Sequence, residues 1–574
     1  MKKRQAMLSA LSVLTFSALI AGASSGAMAN AKIVKQHRVV SSQSSITIAL
    51  PSAFGPNLIP QLDSSLYTAQ ITNYQFDPLL NVNPNDQLIG DIVDKWVYSK
   101  DKKTIYFSIN PKARWSNGRY VTSKDVELGV DWLASKSYTA DQGEYASEVN
   151  SIVGATKPIP DGTTPSGFKL INAREFSITM YHVDATNLAA NLQFIQPLPY
   201  FALGKLPMSQ WKTSAFNKLP NVGDGPYIVT NVVPGQSVTM TANPYYLHGE
   251  PLIATTIYKV VSQDTVAGDL VSGQVNMSGI HPKDVAKLKT VPSLSINVSP
   301  TNGYSFLGWR MNNTVYGKEF SNVLFRQAVE YAINRQAIIQ AIDKGFGKPE
   351  NGPLPPVNFW YNMALNNTYP FSTAKANQLL DQAGFKMKNG WRTTPGGRTF
   401  TPTLTISSGD TAIQIEANFI QQFLKAVHID VKVLPAINFN TMLNQLNNDA
   451  NGKQPIQGFF MAWSLGTGPQ DPRPLWLSNA AFNTTAQDWQ TPKSVLAQND
   501  KLLNEQANAA AYRDSYRKSV LDKWQVLMNQ QMPTNFLTMD DTLTAYSSNL
   551  HGVVFTDLGT FYPWKWYFTN KKVN

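Results

Sequence analysis

Apolar residues recur along this chain with two different periods, and each change of period marks a change of element. Ile46-Thr-Ile-Ala-Leu50 alternates in the manner of an entering strand, which Pro51 ends. Ile105, Phe107 and Ile109 alternate with Thr104, Tyr106 and Ser108, so this segment is expected as a strand with one buried face. Asn117-Gly118 supplies the positive-φ pair of a tight hairpin. Thr122 followed by Asp125 predicts a capping box, whose side-chain oxygens satisfy the orphan amides of a helix running through Leu133.

The helical period dominates further on. Leu324, Ala328, Tyr331 and Ala332 fall on one stripe within Ser321 to Gly345; Asn334 is placed to cap a second helix and Gly345 to stop it in the left-handed conformation. Ser372 or Thr373 predicts the cap of a helix carrying Leu379, Leu380 and Ala383, stopped at Gly384. Ile413 to Val427 predicts a further helix before the alternating strand Ile429 to Leu434. Helix followed by strand argues α/β packing. No repeat of solenoid or propeller length is evident. Gly390 to Pro402, rich in Gly, Thr and Pro, is expected as a loop rather than a domain linker.

With 574 residues, 43% of them hydrophobic, the chain has room for two or three domains with real cores. Lys2-Lys3-Arg4, the apolar stretch Ala6 to Ala23 and Ala27-Met28-Ala29 have the order of an export signal, which places the mature N-terminus at Asn30. The sequence has no cysteine, so structural disulfides, thiolate metal ligands and a cysteine nucleophile are excluded, as is a lipid attached at a signal-peptide cysteine. The expected location is therefore periplasmic or cell-surface associated, and not that of a lipoprotein. The formal charge is +11; without Lys2, Lys3 and Arg4, 46 basic residues stand against 38 acidic ones. They are scattered, with no polybasic run, so no nucleic-acid partner is expected. The six histidines, His37, His182, His248, His281, His428 and His551, lack metal-site spacing, and no cofactor or metal is expected. Neither a G-x-S-x-G elbow nor a Walker loop is present.

A set of short segments occurs in a fixed order: Tyr74 to Leu80, Leu88 to Trp96, Asp101 to Asn110, Trp115-Ser-Asn-Gly118, Thr122 to Val126, Gly223-Asp-Gly-Pro-Tyr227, Asn243 to Pro251, Arg326 to Arg335, Gly352 to Pro356 and Ala374 to Phe385. Together they resemble the extracellular solute-binding proteins of family 5, the dipeptide and oligopeptide type, from about Ile46 to the last residue. Asp224 stands where the family usually has Thr, and Asn334 where it has Asp; both keep turn- or cap-compatible side chains. The resemblance implies an α/β, two-lobed periplasmic-binding-protein-like fold of type II, in its large cluster C form, with an inserted N-terminal subdomain. The implied layout is residues 1–29 signal peptide, 30–75 lobe I, 76–219 inserted subdomain, 220–299 lobe I continued, 300–523 lobe II and 524–574 the return to lobe I. Two crossings between lobes make a hinge.

In peptide-binding relatives a Trp-x-x-Asp segment supplies the carboxylate that pairs with the ligand's α-ammonium. Here the segment reads Trp463-Ser-Leu-Gly466, so the carboxylate becomes Gly466. Removing one partner of a buried pair costs roughly 3 to 5 kcal/mol, so a free peptide N-terminus is not the default cargo. Asp471 is a candidate replacement, with structural pairing as its other reading. Trp463, Trp309 and Trp476 are candidate cleft walls, since an indole offers area and a donor; for each the alternative is a core tryptophan. Tyr304 and Phe306, on a crossover strand, are further candidates. Arg310 and Arg473 have the planar fork that clamps a carboxylate, or that forms an ordinary salt bridge. The closing aromatic run Phe561 to Phe568 is expected to pack on the first lobe.

The resemblance implies a non-enzymatic binding subunit of an ABC importer, capturing an oligopeptide or similar-sized solute and delivering it to permease subunits at the membrane, as a monomer. An oligosaccharide is the alternative cargo. From other classes, an exported hydrolase would need paired carboxylates or a triad, and an extracytoplasmic sensor or chaperone would use the same cleft.

Overall fold

The alternation at Ile46 to Leu50 becomes the strand Ser45–Leu50, which pairs in parallel with both Thr255–Val260 and Met277–Gly279. A computed structural model describes residues 45–63, 65–141, 143, 145–408, 411–447, 456–465, 471–480, 482–483 and 489–569; the expected signal segment lies outside them, as does Gly466. Being central, this strand is buried on both faces: Ile46, Ile48 and Leu50 enter one apolar cluster and Ala49 another. Its sheet runs in the order Leu294–Pro300, Thr538–Ser547, Met277–Gly279, Ser45–Leu50, Thr255–Val260, Ser237–Ala242 and Tyr227–Val233, with Gly347–Pro349 added beside Thr538–Ser547.

Residues between the first and second parts of this sheet form a separate antiparallel sheet, Val93–Tyr98, Thr104–Ile109, Glu175–Thr179 and Phe168–Asn172. Ile105, Phe107 and Ile109 face its core while Tyr106 is exposed, as their alternation predicts. The helix Ser123–Ala134 starts with the capping box: Asp125 accepts from the Thr122 backbone N–H at 2.8 Å. The hairpin expected at Asn117-Gly118 is reduced to one bridge between Arg114 and Tyr120, and only Gly118 takes a positive φ, of 83°. The Gly118 N–H reaches back to the Trp115 carbonyl while the Trp115 N–H pairs with the Arg119 carbonyl, a turn that needs one left-handed residue rather than two. An Asn-Gly pair with both φ positive occurs instead at Asn389-Gly390, φ 51° and 82°, between Met387–Lys388 and Trp391–Arg392. The segment expected as plain loop therefore opens with a strand pair.

The second large sheet runs Lys432–Val433, Thr403–Thr405, Gly458–Ser464, Gly303–Trp309 and Asn535–Phe536. Around it pack helices legible in the sequence: Val323–Ala332, capped by Asn322; Arg335–Ala341, capped by Asn334; Thr373–Gln382, capped by Ser372; and Thr411–Ala426. Gly345 takes the left-handed φ of 89° expected of it. The strand expected over Ile429 to Leu434 shortens to Lys432–Val433, because it lies at the sheet edge with one neighbour. No helix among the described residues is long and apolar enough to cross a membrane.

The chain passes from the first large sheet to the second at Thr301-Asn302 and returns at Leu537, with Gly347–Pro349 in between touching the first sheet again beside Thr538–Ser547. The helix Asp514–Gln531 spans the boundary expected at 523, yet Val520, Leu521, Trp524, Leu527 and Met528 all belong to the core of the second sheet. Its apolar face thus keeps the whole helix with that sheet. The two connections run side by side: the Leu537 N–H donates to Ser305 O at 2.9 Å, and the Thr301 N–H to Asp540 O at 3.1 Å. The Ser305 and Thr538 hydroxyls are 2.9 Å apart, as are those of Thr301 and Thr542.

Three charged residues of the Arg326 to Arg335 segment brace this return. Arg326 donates to the carbonyls of Met532, Phe320 and Gln531 at 2.6, 2.6 and 2.9 Å. Arg335 pairs with Glu330 at 2.7 Å and donates to the carbonyls of Phe536 and Tyr369 at 3.2 and 2.7 Å. Glu330 in turn accepts from Asn535 at 2.9 Å. Replacing Arg335 by Met leaves Glu330 buried without its cation, and urea unfolding of R335M should show a loss of about 3 kcal/mol or more; an unchanged midpoint would remove the brace.

Candidate functional site

The strand Gly458–Ser464 pairs antiparallel with Gly303–Trp309, setting Trp463 opposite Tyr304 and Met461 opposite Phe306. Alternation along both strands sends Tyr304, Phe306 and Trp463 to one face. The Trp463 ring stacks on Phe306, centroids 5.9 Å apart and planes 14° apart, and meets Phe482 edge-on at 5.3 Å. Phe306 is thereby core, and Trp463, half-buried, is the ring that reaches a cavity. That cavity, of about 300 Å³, is lined by Pro353, Leu354, Trp463, Leu465, Asp471 and Trp476, among others. The Trp463 indole N–H is buried and has no hydrogen-bond partner among the described residues, so a donor is available to an occupant.

Trp476 is almost wholly buried but lines the same cavity. Tyr304 is buried beneath it, and burial first, then the Glu350 charge, holds its hydroxyl well above the ordinary tyrosine pKa. Trp309 is a correction: it is 0% exposed, its N–H donates to Asn535 Oδ1 at 2.9 Å, and it packs on Phe320 and Phe325. It is on the opposite face from Trp463 and forms core, not cleft wall. Arg310 is likewise 0% exposed and donates to Gln445 O at 3.3 Å, so it does not clamp a solute. Gly466 lies outside the described residues.

Asp471 and Arg473 neutralise each other. Arg473 Nε stands 3.0 and 2.9 Å from the two Asp471 oxygens, and its Nη2 2.6 Å from one of them. Asp471 also accepts from Gln506 at 3.0 Å and from Thr186 at 3.3 Å. With this many partners its charge is committed to the protein rather than to a ligand ammonium. The remaining reach of Arg473 Nη2 goes to Asp184, at 2.5 Å, and to Thr186 at 3.0 Å. Asp184 and Thr186 follow the strand Glu175–Thr179 of the separate four-stranded sheet, whereas Arg473 begins the short helix Arg473–Trp476 and Asp471 lies just before it. The ion pair therefore bridges the two bodies next to the cavity. Beside it, the Ala185 N–H donates to Ala507 O at 2.9 Å and Tyr98 packs edge-on against Tyr512 at 5.0 Å. Asp184 carries no sequence signal for this role, since its partner is 289 residues away. Pro353 and Leu354 lie within the segment Gly352 to Pro356, whose order resembled the family but whose place on the wall only the fold reveals.

Behind that wall Glu350 is fully buried. Burial pushes its carboxyl up to about 8, against the Asn351 and Gly352 N–H groups and the Arg335 cation, which favour the charged form.

A model of the bacterial extracellular solute-binding proteins, family 5 Middle, matches residues 87–488 of the chain. The oligopeptide-binding protein AppA of Bacillus subtilis (strain 168) is 24% identical over 560 residues, 96% of each chain. The solved structure of AppA from Bacillus subtilis in complex with a nonapeptide superposes with a TM-score of 0.71 at 20% identity, over 92% of this chain and 99% of that one. Lactococcal OppA, complexed with an endogenous peptide in the closed conformation, gives 0.72 at 20% identity over 91% and 98%. The shared architecture is the two-lobed α/β fold, here built on the two large sheets.

Two outcomes follow from the site's charges. Arg473→Met removes the bridge between subdomain and second sheet; a charged hydrogen bond is worth about 1.5 to 3 kcal/mol, and small-angle scattering of the unliganded variant should show a larger radius of gyration than the parent. The folded chain holds the Glu350 proton more tightly than the unfolded chain, so stability falls as pH rises from the ordinary carboxylate range to about 8 and then levels. Glu350→Gln should flatten that fall in a series of melting curves between pH 5 and 9; an unaltered slope would place the titration elsewhere.

Proposed function

The chain belongs to the bacterial extracellular solute-binding proteins of family 5, and from that premise we propose that it is the extracytoplasmic capture subunit of an ABC importer, closing two lobes over an oligopeptide or a solute of similar size. The observation that carries this reading is the half-buried Trp463, its N–H unpaired among the described residues, on a cavity beside paired crossings of the chain. Two adjacent connections let one lobe rotate on the other by changing a few backbone angles. A solute then favours the closed state by its differential affinity for the two arrangements. We take the second lobe as Thr301 to Leu537, the inserted subdomain as 76–219, and the remainder of the described chain as the first lobe.

Relatives named for oligopeptides support peptide cargo. The commitment of Asp471 to Arg473 supports recognition of the peptide's main chain and side chains rather than its charged N-terminus. Trp463, Trp476 and Leu354 supply apolar and stacking area, while Asp471 and Arg473 hold the closed geometry at the rim. The cargo leaves chemically unaltered; the protein acts as a monomer that hands it to a membrane permease. Family membership supports a location outside the cytoplasm, and the absence of cysteine supports one without a lipid anchor.

An oligosaccharide is the second reading, favoured by the same indole wall and by the absence of an uncommitted carboxylate at Asp471. A melting-temperature screen of peptides, N-acetylated peptides and oligosaccharides decides between them, since a ligand at a hundred times its dissociation constant adds about 2.7 kcal/mol. Peptides should shift the transition, and N-acetylation should leave the shift nearly unchanged. Trp463→Ala should weaken the best peptide roughly tenfold while the protein stays folded. Binding that requires a free amine would overturn the main-chain reading, and unchanged affinity would remove Trp463 from the site.

A further inference from the structure

A second and larger cavity, of about 660 Å³, lies away from the Trp463 wall and shares no lining residue with it. Its walls come from the helix Leu66–Gln75 and the residues just before it, from Asp77 to Asp91, from Tyr145, Glu148, Phe194 and Gln196, from Tyr246 and His248, and from the C-terminal segment around Trp564; none comes from Thr301 to Leu537. The volume suits a small organic molecule. Its polar lining is unbalanced in charge. Four carboxylates, Asp63, Asp77, Asp91 and Glu148, face it, against one ammonium, that of Lys565, which sits 4.3 Å from the centre of the Tyr562 ring. The His248 imidazole is held 3.0 Å from Asp91 and stacks on Trp564, centroids 4.9 Å apart.

Three of these carboxylates are nearly inaccessible, Asp91 at 2%, Asp77 at 4% and Glu148 at 7% exposure, and Asp91 is the one held by His248. Asp77 Oδ2 has no partner of hydrogen-bond geometry among the described residues. Burial, then the Asp91 and Asp224 charges, pushes the Asp77 carboxyl far up, against one favourable contact from the Tyr246 hydroxyl. Burial likewise pushes Glu148 up to about 8, although Gln61 donates to it. Neither acid is faced by a cation among the described residues. Rings complete the wall: Tyr562 and Trp564 meet edge-on at 5.3 Å, and Tyr246 and Trp564 at 5.2 Å. Aromatic faces beside carboxylates form a surface that a desolvated ammonium prefers over a neutral group. No group of three His, Asp or Glu side chains is placed to hold a metal ion among the described residues, which favours an organic cation.

We propose that this cavity is a second ligand site, independent of the interlobe cleft, that takes an organic ammonium ion carrying an apolar or aromatic body. The ammonium stands between Asp77 and Glu148, and the body lies against Tyr562 and Trp564.

Calorimetric titration of the full chain with phenethylammonium chloride tests this, with 2-phenylethanol as the uncharged counterpart. One equivalent of the amine should bind, at least about tenfold more tightly than the alcohol. Glu148→Gln, which keeps shape and the Gln61 contact, should weaken the amine about fivefold or more and leave the alcohol unchanged. Trp564→Ala should weaken both. Circular dichroism confirms that each variant is folded; if Trp564→Ala is not, the Glu148→Gln comparison still decides. Trp463→Ala should leave amine binding unaltered, because that ring lines the other cavity. No saturable binding, equal binding of amine and alcohol, or loss of amine binding in Trp463→Ala would each overturn the proposal.

Discussion

The backbone hydrogen bonds that tie Ser305 to Leu537 and Thr301 to Asp540 hold together two segments more than 200 residues apart in sequence, and the rest of the molecule is arranged about them. Without that pairing the strands Gly303–Trp309 and Asn535–Phe536 would not share a sheet, and Thr538–Ser547 would not rejoin the first one. Closing so long a loop is entropically unfavourable, so it must be offset by many contacts made at once. The buried set Arg326, Glu330, Arg335 and Asn535 provides part of that offset, because its donors saturate carbonyls that the sheet and helix ends leave open.

The distribution of charge follows from the same constraint. At the crossing the Arg335–Glu330 pair is buried, where it fixes one geometry; the Arg473 guanidinium is partly exposed, its side chain 22% accessible, and is shared between Asp471 two residues away and Asp184 far off in sequence, so that the Arg473–Asp184 contact is the bridge. A partly solvated bridge is weak enough to break and re-form. The cavity beside it is lined mainly by rings and aliphatic side chains. The second cavity has the opposite character, with carboxyl groups whose pKa burial raises. One chain thus holds a neutral, aromatic wall and an acidic pocket in separate bodies.

Much of the local structure was legible because it depends on neighbours in sequence. The Thr122 and Asp125 capping box, the caps at Asn334 and Ser372 and the left-handed stop at Gly345 each follow from interactions within four residues or from backbone sterics alone. The ordered motifs also sufficed to identify the family. What failed was information about faces and partners. Trp309 and Trp463 are equally apolar, and which one meets the cavity depends on strand register between segments about 150 residues apart. Asp471 carried two readings in the sequence, a replacement ligand carboxylate or a structurally paired one, and the Arg473 fork and the Gln506 amide reach it only in the folded chain.

The sequence by itself determined the elements, the order in which they are joined and the family, since periodicity, capping and turn chemistry act over a few residues. Only the tertiary structure decided where the chain changes sheets, which tryptophan faces the cavity, and which charges are already neutralised, because each of those rests on a contact between side chains that the sequence keeps far apart.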